Sequence, residues 1–150
     1  MTERRIPGFR AVFTVIGVVY ALMAASALSR GVSMLADFGV SQAELASPVL
    51  ADFFSFFYQL MAYVGGLLVL FGWVTRERRA QIAVSLFIAL ANLFFAFRDL
   101  STSDSALGTH LYRGEATLVF VAIDLVLAAA FGALAVVGIV LERRARSAPS

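Results

Sequence analysis

Four long apolar runs, at residues 11–29, 53–75, 80–97 and 116–141, leave this chain few ways to fold. A helix needs roughly 20 apolar residues to cross about 30 Å of hydrocarbon, and each run meets that length or comes close to it. Asp124 alone puts a formal charge inside a run. The runs do not alternate in polarity as barrel strands do. Lipid offers no partner to unpaired backbone, so the economical solution is four transmembrane helices. At 61% hydrophobic, the chain exceeds the roughly 45–50% usual in soluble domains. Its 150 residues make one domain, an all-α integral membrane bundle of four antiparallel helices near 9–29, 48–75, 80–99 and 109–144.

The arginines predict an orientation. Arg4, Arg5 and Arg10 precede the first run, Arg76, Arg78 and Arg79 lie between the second and third, and Arg143, Arg144 and Arg146 follow the fourth. The other loops carry only Arg30, Arg98 and Arg113, together with most of the acids. Short loops rich in Lys or Arg stay cytoplasmic, so both termini are expected inside and loops 30–52 and 98–115 outside. The basic ends then face anionic headgroups, and the pI near 9.5 implies membrane lipids as partners, not nucleic acid. The chain has no lysine and many alanines, a composition of high-GC bacterial genomes, which points to the cytoplasmic (inner) membrane of a bacterium.

Arg4 and Arg5 followed by an apolar stretch and Ala25-Ser26-Ala27 share features with a cleavable signal peptide. The run is long for a signal, however, and carries Gly17, Ala21, Ala25 and Ser29 at the four-residue spacing of a packed membrane helix. It is therefore expected to be retained.

Local signals refine the layout. Pro7-Gly8 breaks the chain before the first helix. Ser41-Gln42-Ala43-Glu44 has the form of a capping box and predicts a short extra helix in the first outer loop. Ser47-Pro48 is a helix start with proline at the first position. Arg76-Glu77-Arg78-Arg79 forms a tight turn that makes the second and third helices a hairpin, and Thr109 can cap the fourth. Ala62 with Gly66, and Ala128 with Gly132, are small-residue pairs that predict close helix contact, within the chain or with another subunit.

The polar residues within the runs fall into stripes at helical spacing. Asp52, Ser55, Gln59 and Tyr63 share one face of the second helix. Ser85, Asn92 and Asp99 are seven apart on the third, with Arg98 alongside, and His110, Arg113, Thr117 and Asp124 line up on the fourth. Most occupy the outer half, and the inner half reads as nearly devoid of polar groups. If the stripes face one another they form a polar cleft that opens outward, with Asp52, Gln59, Tyr63, Asn92, Arg98, Asp99, Arg113 and Asp124 as its candidate ligand-binding or buried polar network. Asp124 has two readings. An acid within a membrane helix is a functional candidate, as a proton or ligand site, and it is equally suited to serve as a neutral hydrogen-bonding link between helices. Arg98 beside Asp99 reads first as a snorkelling arginine with a solvated acid, and second as an anion clamp.

The chemistry of the chain is restricted. Without cysteine it has no disulfide exchange, thiolate nucleophile or cluster ligand of its own. His110 is its single histidine, so no metal or cofactor is expected and no catalytic constellation stands out.

The arginine-led first helix at 10–28, the longer outer loop after it, the glycines Gly65, Gly66 and Gly72 on the second helix and the short basic turn at 76–79 resemble the small bacterial four-helix membrane proteins of the DoxX-like and BphX-like group. The resemblance covers the helix layout and brings no catalytic motif. It implies a role beside quinone-coupled oxidation or redox-stress complexes, with a partner carrying the redox centre. From the residues themselves the expected function is non-enzymatic: binding of a lipid or small amphiphile in the outer cleft, or service as a subunit of a homo-oligomer or larger membrane complex. A small proton-coupled transporter using Asp124 is the alternative.

Overall fold

In a computed structural model the chain is described at residues 5–38, 40–102 and 115–147. All regular structure among these residues is helical: α1 (Phe9–Arg30), a 3-10 segment (Val32–Phe38), α2 (Gln42–Leu45), α3 (Pro48–Val74), α4 (Arg78–Thr102) and α5 (Glu115–Ser147). Among the described residues, α1, α3, α4 and α5 are long and apolar enough to cross a membrane. Residues 109–114, expected to open the last helix, lie outside the described residues.

Local chemistry accounts for the helix ends. Gly8 caps α1 at φ 78° and Gly31 ends it at φ 68°, both left-handed values that glycine adopts without penalty. Ser41 and Glu44 make a reciprocal capping box on α2, each satisfying a backbone N–H of the other's end. Ser47 Oγ accepts from the Leu50 N–H ahead of Pro48, which sits where a helix has no use for an amide hydrogen.

The bundle is built from two antiparallel hairpins of different construction. In lipid no hydrophobic force drives helices together, so close backbone approach and hydrogen bonds decide the pairing. Glycines supply that approach between α1 and α3. A Cβ on Gly17 would stand 2.5 Å from the Gly65 carbonyl oxygen, and one on Gly65 would stand 2.6 Å from the Gly17 oxygen. Nearer the basic end, a Cβ on Gly72 would stand 2.8 Å from the Phe13 Cβ. Trp73 completes this seam, donating Nε1–H to Thr14 Oγ1 at 3.2 Å with the Arg10 guanidinium 2.9 Å from its ring centroid.

In the second hairpin, α4 and α5 meet where Gly138 leaves room for Ile82 and Ile6. Glu142 on α5 ties this end together, with Arg79 at 3.2 Å and Arg78 at 3.8 Å on α4 and Arg146 at 3.5 Å on α5. All these contacts put residues of the basic segments at one end of the bundle.

Two apolar cores follow. The first lies toward the basic end and is shared by all four long helices: Ile6, Phe9, Phe13, Leu68, Ala89, Phe131 and Leu134. Phe9 stacks on Phe13 at 4.2 Å, and Phe13 meets Phe131 edge-on at 5.0 Å across the two hairpins. Offset and edge-on ring pairs of this kind contribute about 0.5–1.5 kcal/mol beyond their area. The second core, Ala24, Ala27, Leu35, Phe54 and Tyr58, belongs to α1, α3 and the loop segment between them. Thus side chains of both hairpins share the basic half, while in the opposite half the first hairpin packs against its own loop.

Candidate functional site

Where the shared core stops, polar groups from three helices come together. Asp124 projects from α5 and is partly buried. Asp99 and Arg98 of α4 act on it electrostatically, and Asp124 in turn acts on Tyr20 of α1. The antiparallel courses of α1 and α5 explain the meeting. Ile6 lies against Gly138 and Phe13 against Phe131, and the same register seven residues further along each helix brings Tyr20 level with Asp124.

Arg98 and Asp99 form a tight pair at the far end of α4. Asp99 Oδ1 accepts from Arg98 Nη2 at 2.6 Å and from Nε at 2.9 Å. The guanidinium carbon stands 5.5 Å from the Phe95 ring centroid. Asn92, two turns closer to the basic end, is buried and donates Nδ2–H to the Ile88 carbonyl of its own helix at 2.8 Å. Thr117 is buried on α5, two turns from Asp124.

The second-helix stripe takes a different place from its partners. The buried side of α3 is Phe54, Tyr58, Gly65, Leu68 and Gly72. Asp52, Gln59 and Tyr63 are exposed on the other side of the helix, with Tyr63 at 65%. The reason is steric. The two α1-facing glycines set the rotation of α3, and Asp52, Gln59 and Tyr63 lie roughly a third to half a turn away from them, with Ser55 on the flank. Of the eight candidate residues, Arg98, Asp99 and Asp124 lie within electrostatic reach of one another, Asn92 is buried on the side of α4 that carries Ala89 and Ala96, Asp52, Gln59 and Tyr63 do not join them, and Arg113 lies outside the described residues. His110 also lies outside them.

No family model, curated protein or solved structure matches this chain. The chemistry must therefore be read from its own side chains. Among the described residues no group of three or more acids and histidines is arranged to hold a metal ion. The cluster offers a mid-helix carboxyl, a phenol and, at the end of α4, a carboxylate paired with a guanidinium. Such a set can exchange hydrogen bonds with a polar group.

Two polar residues missed as site elements lie at the basic end. Gln81 is 1% exposed, accepts from the Ile6 N–H at Oε1 and donates from Nε2 to the Thr75 carbonyl, both at 2.8 Å. It staples the segment before α1 to the turn before α4. Ser85, one turn further, is fully buried and its hydroxyl has no hydrogen-bond partner. The basic half is thus not purely apolar. The available signal was the spacing of Gln81, Ser85, Asn92 and Asp99, which continues the α4 stripe through to its start.

Proposed function

We propose that this is a multi-pass protein of the bacterial cytoplasmic membrane, with both termini in the cytoplasm, that binds a lipid or small amphiphile between the outer halves of its two hairpins. The observation that carries the reading is the change in packing along the bundle. Below, one core of aromatic and aliphatic side chains joins the hairpins. Above, the second core leaves out α4 and α5, and the groups that interact across the hairpins are Tyr20, Asp99 and Asp124. A bound amphiphile would set its polar head against Asp124 and Tyr20 and bring any anionic group toward Arg98.

The test is mass spectrometry of small molecules retained by the protein in mild detergent, compared for wild type, Asp124→Asn and Arg98→Ala. Selective enrichment of one lipid or amphiphile class, lost in either variant, is expected. An identical profile in all three removes the site. Quinone among the retained molecules would link the chain to the redox complexes implied by its DoxX-like layout.

Asp124 also supports a second reading, that of a small proton-coupled transporter, because an acid within a membrane helix suits a proton relay. Proteoliposome uptake indifferent to both a pH gradient and Asp124→Asn would remove that alternative.

A further inference from the structure

The polar stripe of α3 faces away from the bundle, and that is the anomaly of this surface. Asp52, Ser55, Gln59, Tyr63, Gly66 and Leu70 recur at helical spacing on one side of the helix, opposite the face packed on α1. Trp73, with Arg10 over its ring, marks the basic-end interface. Counting from Trp73 at 1.5 Å per residue, Tyr63 lies roughly 15 Å into the membrane, close to its midplane, and Gln59 roughly 21 Å. Both side chains are exposed on this chain. The Gln59 amide has one weak contact here, from Nε2 to Ser55 Oγ at 3.3 Å, which leaves its carbonyl oxygen unused.

Gly66 points the same way by a separate route. Gly17, Gly65, Gly72 and Gly138 are each crowded by a neighbouring helix, so each explains itself. A Cβ on Gly66 would meet nothing within 4 Å. One turn from Tyr63, this glycine opens a shallow place on the helix where another backbone can approach.

We propose that the Gln59–Tyr63–Gly66 face of α3 is the interface of a homodimer, and that its occupant is the same face of a second copy. The argument for a second copy is self-complementarity. Copies inserted with the same orientation are related by a two-fold axis along the membrane normal, which sets α3 beside α3 in parallel and each residue beside its equivalent. A primary amide is both donor and acceptor, and so is a phenol, so Gln59 and Tyr63 can each pair with themselves across that axis. Glycine against glycine allows the close approach such pairs need. Asp52, roughly 32 Å from Trp73, falls at the watery edge, where repulsion between the two carboxylates is screened. The adjoining exposed face of α3, with Phe53, Leu60, Val64 and Phe71, is wholly apolar and is left to lipid. The dimer face lies apart from Asp124, so this inference does not rest on the proposed ligand site.

The absence of native cysteine makes the test direct. Single variants Gln59→Cys, Tyr63→Cys, Gly66→Cys and Leu70→Cys are oxidised in native membranes beside Leu60→Cys, Val64→Cys and Phe71→Cys. All seven positions are exposed, and retained Trp73 emission verifies folding. Disulfide-linked dimers are expected at least several-fold stronger in the first set, strongest at Gly66 and Gln59. Cross-linking absent from that set, or no stronger there than on the apolar face, overturns the interface. Energy transfer between labelled copies in vesicles diluted with lipid then tests the amide. Gln59→Leu should raise dissociation about three- to tenfold, the range of single interhelical hydrogen bonds, and unchanged dissociation refutes its pairing.

Discussion

Replacing Gly17 by alanine tests how the first hairpin is held. The new methyl carbon would lie 2.5 Å from the Gly65 oxygen, 2.8 Å from Val69 Cγ2 and 3.0 Å from the Val69 nitrogen. Two of these atoms are backbone and cannot rotate away. Restoring an ordinary contact of about 3.4 Å requires α1 and α3 to part by about 0.9 Å at their crossing. A gap of 0.5–1 Å forfeits about a quarter to a half of each dispersion contact along the seam. Overpacking of this kind typically costs about 1–3 kcal/mol. A loss near 2 kcal/mol is roughly a thirtyfold drop in the folded-to-unfolded ratio. The measurement is unfolding from mild detergent into increasing SDS, followed by helical circular dichroism and by emission from Trp73, the single tryptophan, which sits in this seam. Gly132→Ala is the control, because its Cβ would meet nothing within 4 Å and alanine is the better helix former. Equal stability of the two variants would refute the claim that backbone contact at Gly17 holds α1 to α3.

Gln81→Leu should release the segment before α1. It removes one buried and one partly buried hydrogen bond and leaves the Ile6 N–H without its acceptor, a loss of about 1–3 kcal/mol, read as faster hydrogen exchange at Ile6 and easier proteolysis ahead of Phe9. Unchanged exchange would show that Ile6 packing alone anchors the segment. The orientation is checked by fusing a fluorescent protein and alkaline phosphatase to the C-terminus. The first should fluoresce and the second stay inactive, and the opposite result would reverse the assignment from the arginines.

The helices were readable in the sequence, and their rotations were not. Apolar length marks a membrane helix whichever way it faces, so the four runs, the capping box at Ser41 and the proline start at Pro48 could be read without any partner. In water an apolar stripe also tells which side is buried. In lipid both sides of α3 are apolar enough, and the polar stripe at Asp52, Gln59 and Tyr63 invites an inward reading. The decisive information was in adjacent glycines. Gly65 and not Gly66 meets Gly17, a choice of one residue that turns the helix by about 100°. Asp99 and Asp124, which interact electrostatically, could be expected at similar depth because antiparallel neighbours of similar length meet there. Gln81 was hidden because its partners, the Ile6 N–H and the Thr75 carbonyl, are backbone groups that no side-chain pattern records.

The Gln81 staple also sets an order on the making of the protein. Its two ends, Ile6 and Gln81, are 75 residues apart in the chain. At about 5–20 residues per second, a ribosome needs roughly 4–15 s between releasing one and the other. Within that interval α1 and α3 can zip through their glycines, but the segment before α1 has nothing to close on. Ile6 also waits for Gly138, which emerges later still. The segment before α1 is therefore among the last to lock. Its docking reports that the second hairpin has been inserted in the correct direction, since a reversed one would carry Gln81 to the far side of the membrane.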